Sequence, residues 1–98
     1  MDSILSLLGL AQKAGKIASG EFATEKSIKS GKAYLVIVSE DASENTRKRM
    51  RQMTEYYEVP LCIYGEKEAI GRCIGKGERS MLAILDAGFA KAVEKKLK

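Results

Sequence analysis

A chain of 98 residues, 45% of them hydrophobic, has the length of one domain (1–98) and enough apolar side chains for one compact core. Its apolar runs fall far short of the roughly 20 residues that span a bilayer, and Asp2 and Ser3 stand where a secretory leader carries basic residues, so a cytoplasmic protein is expected. The net charge of +4 favours a polyanionic partner, with a solvated helix face as the alternative, while the absence of histidine removes the usual general base and the commonest metal ligand.

In chain order, Ile4, Leu7, Leu8, Ala11 and Ala14 make a helical stripe, with Ser3 placed to cap its start and Gly15 to end it. "KIAS" (16–19) is short enough for an added edge strand. Residues 19–31 read as a second helix with a glycine at each end. Ala23, Thr24, Ser27 and Ile28 fall on its inner face, and Phe22, Glu25, Lys26 and Lys29 on its outer one. The largest apolar side chain of this segment is therefore placed among charges. "AYLVIVS" (33–39) is a continuous apolar run rich in β-branched residues, the pattern of a strand covered on both faces.

A third helix spans about 43–57, with Ser43 as N-cap, Glu44 at the positive end of the dipole, and Thr46, Met50, Met53 and Tyr57 as its inner stripe. Its basic run, residues 47–51, reads as auxiliary backbone contact or solvation. "VPLCIY" is a second buried strand, with Pro60 stopping the helix before it. "EKEAIGRCIG" is a short helix, "GKGER" a glycine-rich loop and "SMLAILD" a third strand. Asp86 caps a last helix running through Leu97. Strands alternating with helices imply crossover connections and largely parallel pairing. The expected fold is α/β: a three-layer α/β/α sandwich around a small mixed, mostly parallel sheet of about four strands.

"GRCIGKG" (71–77) does not form a phosphate loop, because three residues rather than four separate its glycines and it joins a helix to a strand. Gly71 and Gly75 fit close helix packing and a left-handed helix end instead. Cys62 and Cys73 match no metal knuckle and read as two buried thiols, so no metal and no cofactor are expected. Asp41 and Asp86 lie just beyond strands, where α/β folds keep their ligand sites. Asp86 reads as a plain cap, and no partner in sequence makes Asp41 a catalytic group.

The remaining combination is spatial. If the loop after the first long strand, the loop before the last strand and the start of the second helix share one end, Gly20, Glu21, Phe22 and Lys26 face Asp41, Lys76 and Arg79. Lysine and arginine neutralise phosphate, and a helix N-terminus offers free N–H groups. Carboxylates accept from base amino groups, and an exposed ring stacks on an unpaired base. This mixture suits RNA, contacted through bases and backbone together.

Four stretches, "LLGLAQKAGKIASGE", "KSIKSGKAYLVIVSEDASENTRKRM", "YYEVPLCIYGEKEAIGRCIGK" and "RSMLAILDAGFAK", resemble the bacterial YlxQ-type branch of the L-seven-Ae/L-thirty-e ribosomal-protein family. The likeness runs in order over nearly the whole chain. It implies the same α/β/α sandwich and a non-catalytic, ribosome-associated, monomeric protein that binds structured RNA, ribosomal or kink-turn-like. A kink-turn is a helix–bulge–helix with sheared G·A pairs. The family's gripping loop runs Gly-x-Asn-Glu-x-x-Lys, and Gly20 and Lys26 match it, but Phe22 stands in the Asn place and Ala23 in the Glu place. Arg79 keeps a position that contacts the bulge base. RNA binding is thus expected, with a standard kink-turn bound weakly. The alternative is a protein-interaction or ribosome-assembly module on the same fold, in which Phe22 meets protein or packs on the first helix.

Overall fold

The computed structural model describes residues 2–97. Among them the chain forms α1 (Ser3–Lys13), β1 (Ile17–Ser19), α2 (Glu21–Lys29), β2 (Leu35–Val38), α3 (Glu44–Tyr56), β3 (Leu61–Ile63), α4 (Lys67–Cys73), β4 (Met81–Ile84) and α5 (Ala87–Leu97). The two runs of unbroken apolar residues become the central strands, and the sheet order is β1-β4-β2-β3. Both β2 and β4 are buried along their whole length. The pleat then sorts their side chains between two layers. Leu35, Ile37, Leu82 and Ile84 pack with Ile4 and Leu8 of α1, Ile70 of α4, and Ala90 and Val93 of α5. Val36, Val38, Met81 and Ala83 pack with Ile28 of α2 and Met50 of α3. The three-layer sandwich is as expected.

The strand directions are not. Only β2 and β3 run parallel, whereas β4 is antiparallel to both β1 and β2. The cause lies in the connection from β3 to β4. A crossover gives parallel pairing when its helix carries the chain back to the far end of the sheet. Here α4 is only seven residues long, and the loop behind it folds back along it. The Lys76 N–H donates to the Gly71 carbonyl (2.8 Å) and the Arg79 N–H to the Lys67 carbonyl (3.0 Å). Gly71 makes this possible, since a Cβ there would lie 1.9 Å from the Gly77 carbonyl oxygen. The chain thus enters β4 from the end at which it left β3. β3 is an edge strand and half-buried rather than a second buried one, and "KIAS" supplies the other edge.

Smaller differences concern helix ends. Asp2, not Ser3, caps α1, its carboxylate accepting from the N–H groups of Ile4 (2.8 Å) and Leu5 (3.2 Å). Ser3 is already the first helical residue and so too late for that role. The side chains of Ser43 and Asp86 act as expected, accepting from Thr46 and Phe89 N–H groups at 3.1 and 2.9 Å. In α3 the buried stripe includes Thr54 in place of Tyr57, which lies past the helix end and stacks edge-to-face on Tyr56 at 4.9 Å. Among the described residues no helix is long and apolar enough to cross a membrane.

Candidate functional site

Backbone hydrogen bonds gather three segments at the end of the sheet where β1 and β2 finish and β4 begins. The Gly20 N–H donates to the Met81 carbonyl (3.0 Å), and the Ser39 N–H to the Ser80 carbonyl (2.8 Å). The start of α2, the loop before β4 and the loop after β2 therefore lie side by side, as the sequence suggested. Gly20 turns the chain from β1 into α2 at φ 89°, a conformation that strains any residue with a Cβ. No side chain caps α2, so the first-turn N–H groups at Glu21, Phe22 and Ala23 have no side-chain acceptor.

Phe22 projects from this turn with 81% of its surface exposed, which excludes packing on α1 or β1. Thr24, Ser27 and Ile28 face the sheet, and Lys26 stands exposed one turn beyond the ring. An open hollow of about 680 Å³ runs along α2, lined by Glu21, Phe22, Glu25, Lys26, Lys29 and Ser30.

Glu21 has a partner that the sequence did not reveal. Arg49 of α3 forks between two carboxylates of α2, its Nη2 on Glu21 and its Nη1 on Glu25. The hydrogen bond that Arg49 donates to Glu25, with the charges of both carboxylates, holds the guanidinium pKa above its ordinary value. A helical wheel separates Arg49 only from Lys48 and Arg51, which occupy the outer face of α3, whereas Arg47 and Arg49 border the inner stripe on opposite sides. That offset was the available signal.

The other expected residues are less closely grouped. Asp41 follows β2, two strand spacings from the end of β1, or roughly 10 Å. Its carboxylate accepts from the Lys67 N–H (2.9 Å), and this bond lowers its pKa below the usual value of 3.8. It thereby fixes the start of α4, assisted by Glu40, whose N–H donates to the Gly65 carbonyl at 2.7 Å. Arg79 is half-buried and donates from Nη1 to the carbonyls of its own loop, Glu78 at 2.9 Å and Gly77 at 3.4 Å. Lys76 is exposed but pinned beside α4, in the layer across the sheet from Phe22 and Lys26. Among the described residues no group of His, Cys, Asp and Glu converges to hold a metal ion. Burial pushes the Cys62 thiol up to about 11, so it is protonated at neutral pH, and it raises Cys73 as well.

Comparison with known proteins places this geometry among relatives. Residues 2–94 match the model of the ribosomal protein L7Ae/L30e/S12e/Gadd45 family. The chain is 44% identical over 84 residues to the RNA-binding protein YlxQ of Bacillus subtilis, covering 86% of this chain and 84% of that protein. It is also 44% identical over 87 residues to the protein of the same name from Enterococcus faecium, covering 89% and 84%. Among solved structures, a protein of unknown function from Bacillus halodurans superimposes with a TM-score of 0.95 at 35% identity, over 99% of this chain and 98% of that one.

Proposed function

Since the chain belongs to the L7Ae/L30e/S12e/Gadd45 family of ribosomal proteins, we propose that it is a non-catalytic RNA-binding protein acting on structured RNA, ribosomal or kink-turn-like. The observation that carries this reading is Phe22. A ring left 81% exposed at an uncapped helix N-terminus, one turn before a free lysine, joins a stacking platform to N–H donors and a cation. Those are the elements that bind unpaired bases and backbone together.

On this reading Gly20 admits the RNA close to the backbone, Phe22 stacks, and Lys26 meets phosphate. Glu21 accepts from base N–H groups. Arg79 and Lys76 extend the contact around the sheet end through their loop, and Asp41 acts by holding that end in shape. The protein works as one domain, as a monomer in the cytoplasm, with the ribosome as its expected assembly. Two relatives bear the name RNA-binding protein, which supports the same conclusion.

The test is to purify tagged protein from cells and sequence the RNA retained, then titrate that RNA and a standard kink-turn by gel shift at several salt concentrations. Structured RNA should be enriched. With Lys26, Lys76, Arg79 and one or two of the basic residues 47–51 on phosphate, log K should fall with log salt at a slope of roughly −3 to −4, from about 0.7–0.9 per neutralised phosphate. Absence of copurified RNA, or a flat salt dependence, overturns the reading.

A further inference from the structure

Arg49 belongs to the basic run read as auxiliary backbone contact or solvation, and its guanidinium reaches the first turn of α2. A guanidinium fork suits two oxygens of one phosphate as well as it suits carboxylates. Here each arm holds a different carboxylate, and the two arms are unequal. The Glu25 side chain is 23% exposed and that of Glu21 is 63% exposed, with Arg49 between them at 39%. Glu25 is therefore the sheltered anchor, and Glu21 is the partner that solvent, or an arriving oxyanion, can displace.

The position of Glu21 adds a second element. It is the first residue of α2, so its carboxylate stands beside the N–H groups that a phosphate approaching Phe22 and Lys26 would use. We propose that Glu21 holds Arg49 in reserve: when RNA seats on the α2 turn, a phosphate takes the Nη2 arm of Arg49 from Glu21, while Glu25 keeps the Nη1 arm. This makes Arg49 a specificity-determining residue of the RNA surface, because the exchange discounts binding by any RNA that supplies phosphate alone. An RNA whose bases also engage Phe22 and the released Glu21 overcomes that discount. The proposal rests on the RNA-binding reading of the same site.

The test compares the unmodified protein with Glu21→Gln, Arg49→Gln and the double variant, by fluorescence anisotropy over a salt series. One probe is an abasic ribose-phosphate oligomer, which offers phosphate without bases, and the other is a standard kink-turn RNA. Glu21→Gln should bind the abasic oligomer about two- to fivefold more tightly, the range an exposed ion pair is worth. Its salt dependence should steepen by up to about 0.7 in slope, because no cation need replace Arg49 on Glu21. In the Arg49→Gln background the same substitution should bring no gain. An equal gain in both backgrounds means that Glu21 merely repels RNA, and it overturns the exchange. No gain in either overturns it too, although binding by the unmodified protein would then leave the RNA reading intact. If the unmodified protein retains neither probe, the exchange falls, and if no RNA copurifies with it either, both proposals fall. Arg49→Lys guards against a misfolded Arg49→Gln: one ammonium keeps the charge without the fork, so Glu21→Gln should bring a smaller gain in that background, and an undiminished gain overturns the role of the fork.

Discussion

The layer of α1, α4 and α5 meets the sheet through long aliphatic side chains, whereas α2 meets it through Thr24, Ser27 and a single isoleucine. The first layer is held by apolar area removed from water, and Leu8, Ile70 and Val93 are completely buried in it. The position of α2 rests on the buried Ile28 together with polar ties: Gly20 to Met81, the Thr24 hydroxyl to the Ala18 carbonyl at 3.4 Å, and the Arg49 fork. Both faces of the sheet have an apolar core, but the one under α2 also carries the exposed ring and the Arg49 fork. Changes on the two faces should therefore register in different measurements.

The largest effect expected is on the apolar layer. Leu8→Ala should lower the unfolding free energy by about 2–5 kcal/mol in guanidinium titration. Thr24→Ala, equally buried but on the polar-tied side, should lose only about 1 kcal/mol. Similar losses at the two positions would erase the distinction between the layers. Next, Gly71→Ala should destabilise by about 1–3 kcal/mol, because its Cβ has nowhere to go but into the Gly77 carbonyl. Its effect should appear first as faster amide exchange at Lys76 and Arg79. Protection as in the parent would mean that the loop does not depend on that close approach.

Phe22→Ala should leave the melting temperature nearly unchanged, as exposed positions do within about 0.5 kcal/mol, and weaken RNA binding by about 1–3 kcal/mol. The double change Phe22→Asn with Ala23→Glu should improve the affinity for a standard kink-turn, seen as a gel shift at lower protein concentration. Tight kink-turn binding by the unmodified protein would show that the ring is dispensable to it.

The smallest effect is a matter of pH. The folded pKa of Asp41 is depressed by the Lys67 N–H. Its tie to α4 is therefore fully present above the usual carboxylate range and is lost as pH falls through the lower folded value. Protection of the Lys67 amide, relative to its intrinsic exchange rate at each pH, should be retained through the usual carboxylate range and be lost only below it in the parent protein. In Asp41→Ala that protection should be absent already at neutral pH. A fall in RNA affinity in that variant, with α4 undisturbed, would make Asp41 a direct contact.

The elements most legible in the sequence were those whose reason is local. Leu35–Val38 and Met81–Ile84 announced central strands because a strand covered on both faces needs no alternation. Ser43 and Asp86 announced helix starts, because a cap bonds only two or three residues ahead. The outward position of Phe22 followed from helical period alone. What escaped depends on distant partners. The direction of β4 turns on a backbone contact between Gly71 and Gly77, which no periodicity marks. The edge position of β3 depends on the same reversal. Arg49 looked like one of several interchangeable cations until α2 and α3 were set side by side. Lys76 and Arg79 were read as one loop facing α2, but the fold-back along α4 carries Lys76 to the opposite layer.

The placing of β4 between β1 and β2 also governs the order in which the protein can be completed during synthesis. β1 has β4 as its sheet neighbour, with Ile17 opposite Ile84, and Gly20 is anchored on the carbonyl of Met81. A nascent chain that stops short of Met81 has the residues of α2 but lacks the sheet neighbour of β1 and the anchor for the turn that presents Phe22. Contacts between such distant parts of a chain form late. The turn that presents Phe22 is thus assembled after nearly all of the chain has left the ribosome, and a truncated product would lack it.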